Sequence, residues 1–514
     1  MKKNILLSLL TGITFALALP PFKTGFFAYV SLIPFFLLLE DKSIADAFRW
    51  GYFTGLCIAA GTLFWLGWVT LPGLFGVIIF WPLAMAAYGV LHVFLLREFS
   101  SYALAAVPFI WTALEYAESF SELAFPWNYI GYTQTYYLPL IQYAEFTSIY
   151  GISFWVVMLN VLFYLLWKNR GRARIALSLA IVLLFAAPLF HGMQVMRGDD
   201  GSDRTIKIAL IQGNRDPNEK WDGDVKGSNY EVYERLTRAI LASEPDLVIW
   251  PETAMPFYLR AEIDYIKKMH ALIDSTGALL LTGTLDYKYL DDGSYDYYNS
   301  AFLLEPSIYD MQRYAKMKLV PFSERVPYKD YFPFNVLKDL LWDLGLGDYA
   351  FGKEIAVLGG RFRSAPPSRS ASHTSATEGR YQTGIAICYE SVFPDHVRKY
   401  VNAGADFLII ITNDAWFGKT SAPFQHAQMA ALRAIENRRD IARCANTGIS
   451  CFIDRFGRVR RQTGLYVEAV LTDTLQLYDE KTFYTLYGNI FAIFVSIVSL
   501  LILTLAVVKR LMQR

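Results

Sequence analysis

The chain reads as a multi-span α-helical membrane domain joined to one α/β domain, and three observations lead there. Of its 514 residues, 54% are hydrophobic, 16% aromatic and only 18% charged, which is too apolar for an ordinary soluble protein. The apolar residues cluster in runs close to the roughly 20 residues that cross a bilayer. Polar residues instead gather in one long stretch, about 192–488, where short β-branched runs alternate with amphipathic segments.

The apolar runs fall at 4–20, 26–40, 52–71, 74–96, 102–118, 140–167, 174–191 and 489–508, about eight spans, of which the second is shortest. Basic residues mark alternate connections: Lys2 and Lys3, Lys42 and Arg49, Arg97, the cluster Lys168 to Arg174, and Lys509, Arg510 and Arg514. The positive-inside rule assigns these, and both termini, to the cytoplasm. The polar stretch then lies on the opposite side. Three parts are expected: a membrane domain at 1–191, an extracytoplasmic domain at 192–488, and a last span with a cytoplasmic tail at 489–514. Lys2, Lys3 and the small-residue pattern at Ala16 to Ala18 imitate a secretory signal, although a retained first span is the favoured reading. A net charge of +1 argues against nucleic acid as a partner.

Within the polar stretch, strands are expected at 206–212, 247–250, 279–284, 384–387 and 407–412, and helices near 227–242, 262–275, 391–402 and 422–442. Such alternation predicts sheets covered by helices, with active residues at strand ends. The Ser/Ala/Pro-rich segment 363–379 has no apolar periodicity and reads as a solvated loop.

Three motifs in this stretch carry chemistry: WPE around Glu252, YAKMKLVPFSE around Lys316 and ICYES around Cys388. Each alone has a bland reading. A free cysteine is usually a small buried hydrophobe, and a lone Glu or Lys after a strand is usually a solvated charge. Together they supply a carboxylate, an ammonium and a thiol, the groups that make and break an acyl-thioester. Glu252 follows a strand that Pro251 ends and is placed to take and return the thiol proton. Cys388 sits at a strand-to-helix corner, where a helix N-terminus is expected to lower its pKa. Lys316 is expected beside the thiolate and the developing oxyanion.

Other residues are less decisive. Asn413, Asp414 and Trp416 either shape a pocket floor or build a turn. His426 invites a metal assignment, but six histidines scattered along the chain form no ligand cluster, so neither metal nor cofactor is expected. Cys444 and Cys451 flank the turn-like 446–448 and form either a disulfide or, as favoured here, two buried thiols. Cys57 reads as packing.

The three motifs, in this order and spacing, resemble the nitrilase superfamily, whose Glu-Lys-Cys triad sits on an αββα sandwich. With its flanking spans the chain is similar, over nearly its whole length, to the bacterial apolipoprotein N-acyltransferases. The resemblance rests on FPWNYIGYTQ at 125–134, IQGN at 211–214, WPET at 250–253, KMKLVPFSE at 316–324, CYES at 388–391, and TNDAWFG followed by QHAQM within 412–429. It implies that Cys388 attacks the sn-1 ester of a phospholipid, typically phosphatidylethanolamine. The α-amine of a diacylglyceryl-modified N-terminal cysteine of an apolipoprotein then takes the acyl group, the last step of lipoprotein maturation. It further implies Glu252 as general base, Lys316 as oxyanion stabiliser and Cys388 as nucleophile. Glu324 corresponds to a second carboxylate near the triad, Tyr389 and Glu390 to supporting residues, and Trp221 to an aromatic near the pocket mouth. The backbone N–H of Tyr389 is a second oxyanion donor in this scheme. Where the family has Gly in PFGE this chain has Ser323, which puts the local turn in doubt. The implied location is the bacterial inner membrane, with a periplasmic catalytic domain.

Two other readings compete. A membrane-tethered nitrilase-type amidase acting on small substrates would need one span as an anchor, not eight. A transporter or receptor would carry ionisable residues inside its spans, and apart from Glu115 these are almost free of them. The apolar segment 331–349, after Glu324, reads either as a core helix or as a lid that dips into the outer leaflet.

Overall fold

Each apolar run becomes a helix in the computed structural model, which describes residues 1–198, 201–216, 225–332, 334–336, 347–361 and 380–513. The helices are Lys2–Ala18, Ile33–Leu39, Ile44–Thr62, Leu71–Phe99, Val107–Ala117, Ala144–Lys168, Arg172–Arg197 and Ile490–Met512. Among the described residues, four segments are long and apolar enough to cross a membrane: Leu71–Ala117, Ala144–Lys168, Arg172–Arg197 and Ile490–Met512. The first of these contains two of the expected spans, separated by the 3-10 helix Ser100–Ala106, which Ser100 opens with a left-handed φ of 55°. The run around 26–40 gives only a shorter apolar helix, Gly25–Leu39. The chain divides into two compact units: Met1–Gly198 with Tyr487–Arg514, and Asp199–Leu486.

In the first unit small residues let helices approach closely. A Cβ on Gly89 would lie 2.8 Å from the Ala47 carbonyl, and one on Gly55 would lie 2.7 Å from Pro82 Cα. Polar groups are used as internal ties. Asn160 accepts from the Leu32 N–H at 2.8 Å and donates to the Ala28 carbonyl at 2.7 Å. Glu115, the acidic residue singled out in the spans, accepts from the Trp111 indole and the Ile130 N–H, both at 2.9 Å.

The second unit is built on thirteen described strands: β1 Thr205–Gln212, β2 Leu247–Ile249, β3 Met255–Tyr258, β4 Leu279–Tyr289, β5 Tyr295–Glu305, β6 Ile308–Ala315, β7 Val357–Arg361, β8 Arg380–Ile387, β9 Phe407–Thr412, β10 Ile441–Ala445, β11 Cys451–Ile453, β12 Val459–Gln462 and β13 Ala469–Gln476. One sheet has the order β13-β1-β2-β4-β5-β6, with β3 beside β4, and the other the order β12-β11-β10-β9-β8-β7. β1, β2 and β4 run parallel, as do β8, β9 and β10.

Side-chain alternation explains the layering. On β1, Ile206, Ile208 and Leu210 join a core shared with Ile385, Ile387 and Ile409 of the second sheet. The intervening Ala209 and Ile211 pack outward with Tyr233 and Met269 of the helices Val225–Ile240 and Ile263–Asp274. On the far side, Val397 and Tyr400 of the helix Pro394–Asn402 and Ala427, Ala430 and Ala434 of the helix Ala422–Asn437 complete the shared core. Both parallel cores are thus covered on two faces, which is why their strands read as continuous apolar runs. The result is helix, sheet, sheet, helix.

Two expected elements change at their ends. The helix expected over 422–442 stops at Asn437, because Arg438 turns left-handed with φ 48° and Ile441 begins β10. The helix expected from 391 starts at Pro394, after a five-residue 3-10 turn, Cys388–Val392.

Candidate active site

The turn after β2 carries Glu252, and β4 must pass directly behind it. A Cβ at Gly283 would lie 2.6 Å from Glu252 Cα, so only glycine fits there. The Glu252 carboxylate is buried and used on both oxygens. Oε1 accepts from Asn299 Nδ2 at 2.8 Å and from Lys316 Nζ at 3.3 Å, and Oε2 accepts from the Asn413 N–H at 2.9 Å.

Lys316 follows β6 directly, and its own N–H donates to the Asn299 carbonyl of β5 at 2.9 Å. Its ammonium, 1% exposed, donates to Glu324 Oε1 at 2.8 Å. Glu324 Oε2 is held by the Val320 N–H at 2.9 Å, and Asn299 Nδ2 also reaches Glu324 Oε1 at 3.1 Å. Two carboxylates therefore share one ammonium and one amide. Burial works against the Lys316 charge, but Glu252, Glu324 and Cys388 hold its pKa well above the ordinary lysine value.

Cys388 follows β8 directly with a left-handed φ of 53°, a backbone state that a non-glycine residue occupies only where the surroundings impose it. Burial first, and the Glu252 carboxylate second, push its thiol well above the ordinary value, with Lys316 opposing. This corrects the expectation that a helix N-terminus lowers it. The turn that follows is a 3-10 helix of five residues, too short to develop the macrodipole of a long helix, and desolvation wins.

Glu390 explains how the Lys316 and Cys388 segments stay in register. Its Oε2 accepts from the Ile387 N–H at 2.8 Å, while Oε1 accepts from the Tyr314 hydroxyl and the Met317 N–H, both at 2.6 Å, and from the Lys318 N–H at 3.2 Å. One buried carboxylate therefore clamps the residues flanking Lys316 to those flanking Cys388. Burial alone would raise its pKa, but the His396 ring at 3.2 Å and the Tyr314 hydroxyl keep it below the usual carboxylate value. Tyr389 is buried, with its ring edge-on to Phe393 at 5.1 Å. Trp221 lies outside the described residues.

The doubt over Ser323 resolves in the turn itself. Phe322 adopts the left-handed φ, 57°, so the neighbouring position 323 does not need glycine. Of the segment 331–349, residues 333 and 337–346 lie outside the described residues. Tyr331 and Phe332 are exposed, and Phe334 meets the Phe322 ring at 5.9 Å. The segment 363–379 also lies outside them.

Asn413 and Asp414 both enter buried networks, and Trp416 is partly exposed. Asp414 accepts from Thr412 Oγ1 at 2.7 Å and from Arg443 Nη2 at 2.8 Å, with His426 Nδ1 3.1 Å away. Burial raises the Asp414 pKa, but the Arg443 guanidinium and the His426 ring hold it far below the usual value. Cys57, Cys388, Cys444 and Cys451 are all free. On the β10–β11 pair Cys451 stands opposite Arg443, so Cys444, one residue on, points to the other face. Its thiol meets the Ile211 and Ile249 carbonyls at 3.4 and 3.3 Å. Among the described residues no His, Cys, Asp or Glu group is arranged to hold a metal ion.

Asn299, which ties the two carboxylates, escapes sequence reading. Its one signal is an amide in the middle of a strand of mainly aromatic and apolar residues that also holds Asp296, Ser300 and Glu305. Tyr314 and Arg443 are missed for the same reason: a strand pattern tells which face a residue is on, not what it meets there.

Residues 11–162 match the model of the apolipoprotein N-acyltransferase N-terminal domain, and residues 207–483 match that of the carbon-nitrogen hydrolases. The apolipoprotein N-acyltransferase of Geobacter metallireducens is 35% identical, covering 96% of this chain and 93% of its own. The chain belongs to the apolipoprotein N-acyltransferase family. A second member, from Chlorobaculum tepidum, is 33% identical over 99% of this chain and 98% of its own, and a third, from Treponema denticola, is 29% identical over 99% and 97%. As a member of this family the protein is an acyltransferase enzyme with a nitrilase-like domain of two sheets and a membrane region of apolar helices.

Proposed function

We propose that the protein N-acylates the α-amine of the diacylglyceryl-modified N-terminal cysteine of apolipoproteins, taking the acyl chain from a phospholipid through a thioester on Cys388. The observation that carries this reading is the convergence at three strand ends. Glu252 follows β2, Lys316 follows β6 and Cys388 follows β8, and Lys316 is in electrostatic contact with both of the others.

Because the thiol is neutral at physiological pH, proton transfer accompanies attack. Glu252 takes the Cys388 proton while sulfur bonds to the sn-1 ester carbonyl carbon. Lys316, with the Tyr389 N–H, stabilises the oxyanion in a site where burial strengthens both interactions. The ester C–O bond breaks, and Glu252 returns the proton to the departing lysophospholipid. In the second half the free α-amine attacks the thioester, loses a proton to Glu252, and the C–S bond breaks to restore the thiol. Glu324 positions Lys316, and Glu390 positions the Cys388 turn.

About eight spans, with domains at 1–191, 192–488 and 489–514, would put both termini in the cytoplasm and the catalytic domain in the periplasm of a bacterial inner membrane. The alternation of basic connections supports it. The phospholipid donor we propose is phosphatidylethanolamine, the typical donor that the family resemblance implies.

Incubation with phosphatidylethanolamine alone should leave one fatty acyl group on Cys388, read by mass spectrometry. A diacylated lipopeptide should then release the thiol, and an N-acetylated lipopeptide should not, since only a free amine attacks. Rapid release of free fatty acid without acceptor would mean that water resolves the thioester and the enzyme is an amidase-type hydrolase.

A further inference from the structure

A histidine with no assigned role lies against the backbone of the nucleophile. His426, on the helix Ala422–Asn437, is fully buried, and its Nε2 lies 3.2 Å from the Cys388 carbonyl oxygen and 2.9 Å from Ser391 Oγ. The Ser391 hydroxyl donates to the same carbonyl at 2.8 Å. The other ring nitrogen, Nδ1, lies 3.1 Å from Asp414 Oδ1 and 3.1 Å from Arg443 Nη2.

The partners settle where a proton sits. The Cys388 carbonyl can only accept, and the Arg443 guanidinium can only donate. A ring protonated on Nδ1 alone would set a lone pair against the carbonyl and a donor against a donor. Every arrangement that suits the carbonyl has a proton on Nε2: the neutral ring with Nδ1 accepting from Arg443, or the imidazolium with Nδ1 donating to Asp414. His426 therefore donates from Nε2, and the Cys388 oxygen is held by two donors.

That oxygen belongs to the peptide joining Cys388 to Tyr389, which is trans because the one cis bond among the described residues is Pro20-Pro21. In a planar trans peptide the C=O and N–H vectors are opposed. Holding the Cys388 oxygen thus sets the direction of the Tyr389 N–H, and it also holds Cys388 in its left-handed φ of 53°.

We infer that His426, with Ser391, is a positioning residue that clamps the Cys388 carbonyl and thereby aims the Tyr389 N–H at the oxyanion, while Asp414 and Arg443 fix the ring. The inference rests on the proposed roles of Cys388 and Tyr389. Its energetic logic is that of preorganisation: a donor already aimed costs nothing to reorient as charge develops. The clamp acts on the acyl transition state and leaves the lipid-binding surface untouched, so it alters turnover and not lipid affinity.

The test uses the full-length enzyme in phosphatidylethanolamine nanodiscs, with formation of acyl-Cys388 followed by rapid quench and mass spectrometry. The terminal nitrogen of glutamine reaches the place of Nε2, whereas that of asparagine reaches only the place of Nδ1. His426→Asn should slow acylation about 10- to 100-fold with half-saturating lipid unchanged, and His426→Gln should recover most of the rate. Ser391→Ala should slow it several-fold, again with half-saturating lipid unchanged. A folded His426→Asn enzyme at the parent rate, a Gln variant as slow as the Asn variant, or a loss confined to half-saturating lipid overturns the clamp. If His426→Asn does not fold, Ser391→Ala decides: an unchanged rate overturns the inference and a slowed one supports it. Cys388→Ala distinguishes the underlying reading, because transfer by that variant would overturn the nucleophile itself, whatever His426 does.

Discussion

Two buried charge clusters flank the Cys388 turn, and they are built to opposite ends. On one side Glu252 and Glu324 share the single ammonium of Lys316, leaving two carboxylates against one cation. On the other, Asp414 alone faces Arg443 and the ring of His426, and Thr412 completes its shell. Consecutive residues after β9 divide between them: the Asn413 N–H holds Glu252 and Asp414 anchors the second cluster. The cluster with surplus negative charge can accept a proton, and the balanced one can only hold geometry. Desolvation raises the stakes in both, since a buried charge left without its partner is costly.

The largest effect that could break this contrast is on turnover. Cys388→Ala and Glu252→Gln should each lower lipopeptide acylation by more than about a thousandfold while the protein still unfolds cooperatively near the parental temperature. Substantial acylation by either purified variant would remove the first cluster from the chemistry.

Lys316→Met should abolish activity and also destabilise, by about 3–5 kcal/mol, because two buried carboxylates lose their common counter-charge. Adding Glu324→Gln should restore part of that stability and none of the activity. Thermal unfolding that ignores the Lys316 change would show that the carboxylates are solvated after all.

A thiol raised by burial and by Glu252 is protonated at neutral pH. Alkylation of Cys388 by iodoacetamide should therefore keep rising with pH past the ordinary thiol value of about 8.5. Glu252→Gln removes a charge that raises the pKa, so its profile should shift to lower pH. A midpoint at or below the ordinary value in the parent enzyme would contradict the burial argument.

The second cluster predicts an acid limit. The Asp414 pKa is depressed in the folded state, so its contribution to stability is complete above the unfolded carboxylate value of about 3.9 and is lost as pH falls through the folded value below it. Melting temperatures measured from pH 7 downward should hold this contribution until about pH 4. Removing the Asp414 charge with Asp414→Asn should erase that part of the acid loss, and an unchanged acid profile would place the loss elsewhere. The smallest effect concerns Cys444 and Cys451: both are free, so reductant should leave the melting temperature unchanged within about 1 °C, and a drop of several degrees would reveal a disulfide.

Much of the site was legible beforehand. Glu252 and Cys388 could be picked out because each follows an apolar run that had to be a buried strand, and strand ends are where a sheet exposes side chains, whereas Lys316 follows the polar, partly exposed strand IYDMQRYA and was marked only by its motif. What the pattern could not convey was the environment. Cys388 reads locally as a thiol at a helix start, yet its pKa is set by burial under two sheets and by a carboxylate 136 positions earlier in the chain, at Glu252. Ser323 looked like a departure from a required glycine until the left-handed residue proved to be Phe322.

The sequence by itself determined the apolar runs that become helices, the alternation that makes both faces of each parallel core buried, and the residue types at the strand ends, because these follow from local periodicity and from the solubility of each side chain. Only the tertiary structure decided that Asn299 bridges Glu252 to Glu324, that Glu390 ties the Lys316 segment to the Cys388 turn, and that His426 meets the Cys388 carbonyl. These contacts join residues on different strands and helices. A hydrogen bond depends on a few tenths of an ångström and on direction, and no one-dimensional pattern encodes either.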